Sequence, residues 1–182
     1  MKALIFHGTQ GSPQGNWFQW LQEQLMIEGW QVAVPTLPTP DNQSLENWKQ
    51  ALAAQVPGFH DVDVVIGHSS GGTFALRLLE EGLVKPKQTI LVSTVIDTIN
   101  NNEYDTLNKS FIDAPFEWSK IKKNCKDVIV FHGDNDPYVS LSQAETISEN
   151  LDAPLNIIKD GGHLNAESDY TEFSELLDVL NV

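Results

Sequence analysis

The sequence predicts an α/β fold: a three-layer α/β/α sandwich on a six-stranded, mostly parallel sheet. Three observations carry this. Six short apolar runs rich in β-branched residues recur along the 182 residues. Amphipathic stretches at helical spacing lie between them. The runs are almost continuously apolar rather than alternating, which suits strands covered on both faces of a parallel sheet. Strand then helix, about six times over, implies right-handed crossovers with helices on both sides.

In chain order the expected strands are 3–6, 31–34, 62–66, 89–92, 128–131 and 155–158. Trp17, Trp20, Leu21 and Leu25 make the first helical stripe, stopped by Gly29. Leu45, Trp48, Leu52 and Val56 make the second, and Phe74, Ala75, Leu78 and Leu79 the third, ended by Gly82. Leu141, Ala144, Ile147 and Leu151 make the fourth, opened by Ser140-Leu141-Ser142-Gln143 in the form of a capping box. Phe173, Leu176, Leu177 and Leu180 close the chain. The rhythm breaks between Ser93 and Asp127, where helical spacing is poor before Pro115. That stretch is either a flap over a pocket or an irregular crossover. The length fits one domain over residues 1–182.

Composition excludes several function classes. Hydrophobic residues are 41% and charged residues 20%, ordinary globular usage, which argues against wholesale disorder. Eleven Lys+Arg stand against 25 Asp+Glu, a net charge of -14. Such a surface repels phosphate backbones and anionic lipid heads, so nucleic acid is not an expected partner. One cysteine, Cys125, cannot form an internal disulfide. The N-terminal apolar run is too short for a signal peptide, and no apolar stretch reaches a membrane span. A cytoplasmic protein needing no cofactor is the expectation; the oligomeric state is not legible.

The sharpest chemical signal is Val64-Val65-Ile66-Gly67-His68-Ser69-Ser70-Gly71-Gly72. An apolar strand runs into Gly-x-Ser-x-Gly and straight into a helix, the context a nucleophile elbow requires. Side chains two before and two after the serine would strike neighbouring backbone, so Gly67 and Gly71 suit those places. The turn lifts the Ser69 hydroxyl and aims the Ser70 N–H and the helix N-terminus at whatever Ser69 attacks.

A serine nucleophile needs a base and an orienting acid. His163 follows the last strand behind Gly161-Gly162, which lets the chain bend back over the sheet edge. His68 neighbours the serine but points away in such a turn; it reads as packing, or as a contact one step removed from the reacting atoms. Asp136 lies deep in the loop after the fifth strand and is stiffened by Pro137, whereas Asp134 reads as a turn residue bonding its own backbone. The order Ser69, Asp136, His163 is then that of the α/β hydrolases. After the first strand, Phe6-His7-Gly8-Thr9-Gln10-Gly11 offers a second oxyanion donor, the Thr9 N–H, with Gly8 allowing close approach.

The chain resembles the small YdeN-like α/β hydrolases, the group that includes the retinoblastoma-binding serine hydrolase of animals. The resemblance covers almost the whole chain. It rests on Ile66-Gly67-His68-Ser69-Ser70-Gly71, on Asn16-Trp17-Phe18-Gln19-Trp20-Leu21 and on Phe116-Glu117-Trp118-Ser119-Lys120-Ile121-Lys122-Lys123-Asn124-Cys125. Asp134-Asn135-Asp136-Pro137 and Gly161-Gly162-His163 also match. It implies a lidless serine hydrolase with Ser69, Asp136 and His163 as its triad, on a sheet lacking the first two strands of larger hydrolases. The retinoblastoma link belongs to one branch, and Leu-x-Cys-x-Glu is absent here.

The expected function is hydrolysis of a small ester, thioester or activated amide through an acyl-enzyme, with the small acyl compound as partner. A protein-binding module on the same fold is the alternative. His7, Gly8, Phe111, Phe116 and Trp118 are the candidate substrate contacts. A metal site among His7, His132, Asp134, Asp136 and His163 lacks any His-Glu-x-x-His spacing. Trp17 and Trp20 read as core, and Cys125 as buried packing.

Overall fold

The computed structural model describes residues 1–125 and 127–182. Six strands form one parallel sheet: β1 (Lys2–Phe6), β2 (Gln31–Ala33), β3 (Val64–His68), β4 (Gln88–Val92), β5 (Asp127–Gly133) and β6 (Leu155–Ile158). Their order across the sheet is β2-β1-β3-β4-β5-β6. The register aligns Phe6 with Gly67 and His68 with Val92, so the carboxyl ends of β1, β3 and β4 finish side by side.

Successive strand side chains face opposite layers. Leu4, Phe6, Val65, Leu91 and Val130 pack beneath α2 (Leu45–Gln55), α3 (Ser70–Glu80), α4 (Asn102–Ile112), α5 (Trp118–Asn124) and α6 (Leu141–Leu151). Ala3, Ile5, Val64, Ile66, Ile90 and Val92 meet α1 (Phe18–Ile27) and α7 (Glu175–Leu180) on the other side. Both faces of the central strands are thereby dry, as their unbroken apolar runs require. Each fully buried Leu, Ile or Phe contributes about 1.5–3 kcal/mol. Among the described residues no helix is long and apolar enough to cross a membrane.

Three local expectations are corrected. β3 extends to His68 because its ladder with β4 continues through the His68–Val92 pair. No side-chain capping box forms at α6: Ser140 caps nothing through its hydroxyl. Gln143 instead turns inward and accepts from the Ile96 and Asp97 N–H groups at 2.7 and 3.0 Å. The segment after β4 is more regular than an irregular crossover: it holds α4 and α5. The α4 start has a local cause, since the Asn101 side chain accepts from the N–H groups of Glu103 and Tyr104.

Candidate active site

The turn after β3 puts Ser69 at φ 55, ψ -125, outside the ordinary regions for an L-residue. A conformation of this kind costs about 1–3 kcal/mol and persists only where its surroundings hold it. Here the Ser69 N–H donates to the Val92 carbonyl at 2.9 Å, and the Ser69 carbonyl accepts from Gly72 at 3.0 Å. A Cβ on Gly67 would lie 2.5 Å from the Gly71 carbonyl oxygen, and one on Gly71 would lie 2.6 Å from the His7 carbonyl oxygen. Only glycine lets the turn close against β1.

The β1 loop meets the start of α3. Thr9 Oγ1 and Ser70 Oγ are hydrogen-bonded at 2.6 Å, and the Thr9 N–H makes a long bond to Ser70 Oγ at 3.4 Å. The Thr9 hydroxyl donates to Asn108 Oδ1 at 2.7 Å and accepts from Gln43 Nε2 at 2.8 Å. His7 is fully buried. Its Nδ1–H donates to the Gly8 carbonyl at 2.9 Å and its Nε2 accepts from the Leu37 N–H at 3.0 Å. Burial lowers its pKa, against the raising effect of that Gly8 bond. His7 therefore fixes the loop from behind and is not on the cavity wall, contrary to expectation; Gly8 is.

Three successive residues after β5 grip the loop after β6. Asp134 Oδ1 accepts from the Asp160 N–H at 2.7 Å and Asn135 Oδ1 from the Gly162 N–H at 2.7 Å. Asp136 Oδ2 accepts from His163 Nδ1 at 2.8 Å. Asp136 Oδ1 takes the N–H groups of Tyr138 and Val139 at 2.9 and 3.0 Å, an Asx turn around Pro137. Burial pushes the Asp136 carboxyl up, but the hydrogen bond and charge of His163 and the two backbone donors outweigh it and hold it below the usual range. Behind it, the His132 Nε2–H donates to the Val139 carbonyl at 3.0 Å. His132 is fully buried, and desolvation lowers its pKa against the raising pull of Asp136.

Ser69 and His163 open on one cavity of about 250 Å³ at the carboxyl edge of the sheet. No hydrogen bond joins Ser69 Oγ to His163 among the described residues. Free enzymes often hold such pairs apart until substrate arrives. Gly8, Thr9, Val95, Ile99, Tyr104, Asn108, Tyr138, Val139 and Glu167 complete much of the wall. No described lysine or arginine is on it.

The expected aromatic contacts are elsewhere. Phe111 is buried against Trp48, ring centroids 4.7 Å apart. Phe116 covers the Arg77 guanidinium at 3.7 Å and packs on Trp118. The buried Arg77 also pairs with Glu80 at 2.7 Å and donates from Nε to the Phe111 carbonyl at 2.8 Å. The aromatic walls are Tyr104 of α4 and Tyr138 of the loop after β5, with centroids 6.2 Å apart. Tyr138 also packs edge-on to His163 at 5.1 Å and donates to Glu167 at 2.7 Å, a bond that pushes its pKa up to about 12. Neither tyrosine is singled out by the sequence.

A family model described as serine hydrolase matches residues 3–182. This chain belongs to the serine hydrolase family. It is 29% identical to the serine hydrolase RBBP9 of Rattus norvegicus, over 98% of this chain and 93% of that protein. It is 28% identical to YdeN of Bacillus subtilis (strain 168), over 98% of this chain and 94% of that one. The crystal structure of the B. subtilis ydeN product superposes with a TM-score of 0.88 at 26% identity, covering 99% and 96% of the two chains. Mouse alpha/beta hydrolase domain-containing protein 10 shares the fold, with a TM-score of 0.72 at 13% identity over 99% and 88%. The small YdeN-like serine hydrolase family and the α/β-hydrolase fold expected from the sequence are thus both present.

Proposed function

We propose that this serine hydrolase cleaves small esters, thioesters or activated amides with Ser69 as nucleophile, His163 as general base and Asp136 as orienting acid. The observation that carries the reading is the His163 Nδ1–Asp136 Oδ2 bond at 2.8 Å, on the same cavity as a serine held at φ 55. The bond fixes the proton on Nδ1 and leaves Nε2 free to accept the Ser69 proton. Ser69 Oγ attacks the carbonyl carbon, and the Asp136 charge stabilises the imidazolium that forms. The oxyanion is held by the Ser70 N–H at the start of α3 and by the Thr9 N–H, which leaves its long bond to Ser70 Oγ. His163 gives its proton to the leaving group, and water then releases the acyl group from Ser69. The whole chain, residues 1–182, acts as one domain, with α4 as cavity wall in place of a separate lid. A cytoplasmic setting fits the lone buried Cys125.

The test pairs Ser69→Ala with a fluorophosphonate probe and a short p-nitrophenyl ester. The wild type labels and turns over. The variant loses labelling and at least about a thousandfold in kcat. A variant that still labels would remove Ser69 from the mechanism.

A further inference from the structure

The backbone that carries His163 does not hold itself. Asp160, Gly162 and Leu164 have φ of 56, 55 and 49. For Leu164 the left-handed region costs about 1–2 kcal/mol. A loop of this kind needs ties from outside. Asn135 holds the Gly162 N–H, the Trp17 indole N–H donates to the Leu164 carbonyl at 2.9 Å, and Asn16 accepts from Ala166 at 3.1 Å. The carbonyl of His163 itself has one side-chain donor among the described residues, the Nε2–H of His68 at 2.9 Å.

We propose that His68 is a positioning residue for His163, its ring N–H holding the base's carbonyl and so fixing the imidazole relative to Ser69. The inference rests on the reading of His163 as general base. His68 is built for the task. Its backbone is locked in β3, paired with Val92, one residue before the nucleophile. Its ring is buried, with Trp17 and Phe18 at centroid distances of 6.2 and 5.9 Å and the His163 ring edge-on at 4.8 Å. Burial, and then the neighbouring His163, push its pKa down to about 3, so at neutral pH the ring is uncharged. A carbonyl partner requires the hydrogen on Nε2. Nucleophile and base, 94 positions apart in sequence, are thereby joined through one rigid side chain.

Two substitutions separate positioning from packing. His68→Phe keeps the ring and the apolar contacts but removes the donor. His68→Gln restores a donor nitrogen at similar reach and packs worse. Expected for His68→Phe is a ten- to hundredfold fall in kcat on a p-nitrophenyl ester, with KM within about twofold and amide exchange at Gly162 and Leu164 at least about tenfold faster. His68→Gln recovers kcat to within about fivefold of wild type although it melts no higher than His68→Phe. The proposal is overturned if His68→Phe keeps kcat within twofold with unchanged exchange, or if both variants lose activity alike in step with their melting temperatures. A wild type that neither labels with fluorophosphonate nor turns over ester fails the hydrolase reading instead. The exchange rates then still decide whether His68 holds the loop.

Discussion

Asp136 and His163 sit in loops after adjacent strands, and Oδ2 of the one lies 2.8 Å from Nδ1 of the other. Oδ1 of the same carboxylate is saturated by two backbone N–H groups, so the acid cannot swing away from the ring. Asp136→Asn keeps this shape but offers the ring an amide in place of a charge. Its kcat should fall by about 10³–10⁴-fold with KM little changed. Asp134→Asn should stay within about twofold of wild type, because exposed Asp134 only accepts the Asp160 N–H. Steady-state kinetics of the two variants decides; equal losses would contradict the assignment of Asp136 as the acid.

Why was so much of this legible in the chain? Gly67, Ser69 and Gly71 are fixed by local sterics, and local sterics write themselves into sequence. The strand runs were readable because burial on both faces leaves no room for polar alternation. Asp136 stood out through Pro137 and its loop position. The aromatic part of the cavity wall was not readable. Tyr104 and Tyr138 meet only because α4 and the loop after β5 converge in space. Phe116 and Trp118 looked like pocket residues because the need of Arg77 for cover, across α3, leaves no mark near them in sequence. His7 misled for a related reason: its two backbone partners include Leu37, 30 positions away.

Ser70 serves twice in this arrangement. Its N–H starts α3, and its hydroxyl bridges to Thr9 at 2.6 Å. Ser70→Ala leaves the backbone donor in place but frees the Thr9 loop on one side. Asn108 and Gln43 still hold the Thr9 hydroxyl, so the loop loosens rather than detaches. The expected result is a fall of about tenfold in kcat and a stability loss of about 1–2 kcal/mol by urea denaturation. An unchanged kcat alongside that stability loss would show that the bridge serves folding alone.

Three buried histidines, His7, His68 and His132, have lowered pKa values because burial disfavours the charged ring. The unfolded chain therefore binds more protons than the folded one as pH drops below about 6.5, and stability falls with it. Asp136, held below its usual range, adds to the loss once the pH approaches that of free carboxyls. Each such histidine contributes up to about 1.4 kcal/mol per pH unit while it stays neutral in the fold. For His68, neutral down to about 3, the loss between pH 7 and about 4.5 is about 2–3 kcal/mol. Urea unfolding across that range should give a shallower dependence for His68→Gln than for wild type. Parallel curves would mean that His68 takes its proton while folded.

Charge should also select substrates. The cavity wall carries Glu167 and no described lysine or arginine, within a chain of net charge -14. A carboxylate on the acyl chain would meet like charge without a cation to offset it. Two like charges about 6 Å apart at an effective dielectric near 40 repel by about 1.4 kcal/mol, roughly tenfold in rate. The p-nitrophenyl ester of hexanoate should therefore exceed the mono-p-nitrophenyl ester of adipate by about tenfold or more in kcat/KM at low salt. Added salt screens the long-range share, and Glu167→Gln removes the local one, so both should narrow the gap. Equal kcat/KM for the two esters at low salt would show that acyl charge plays no part in selection.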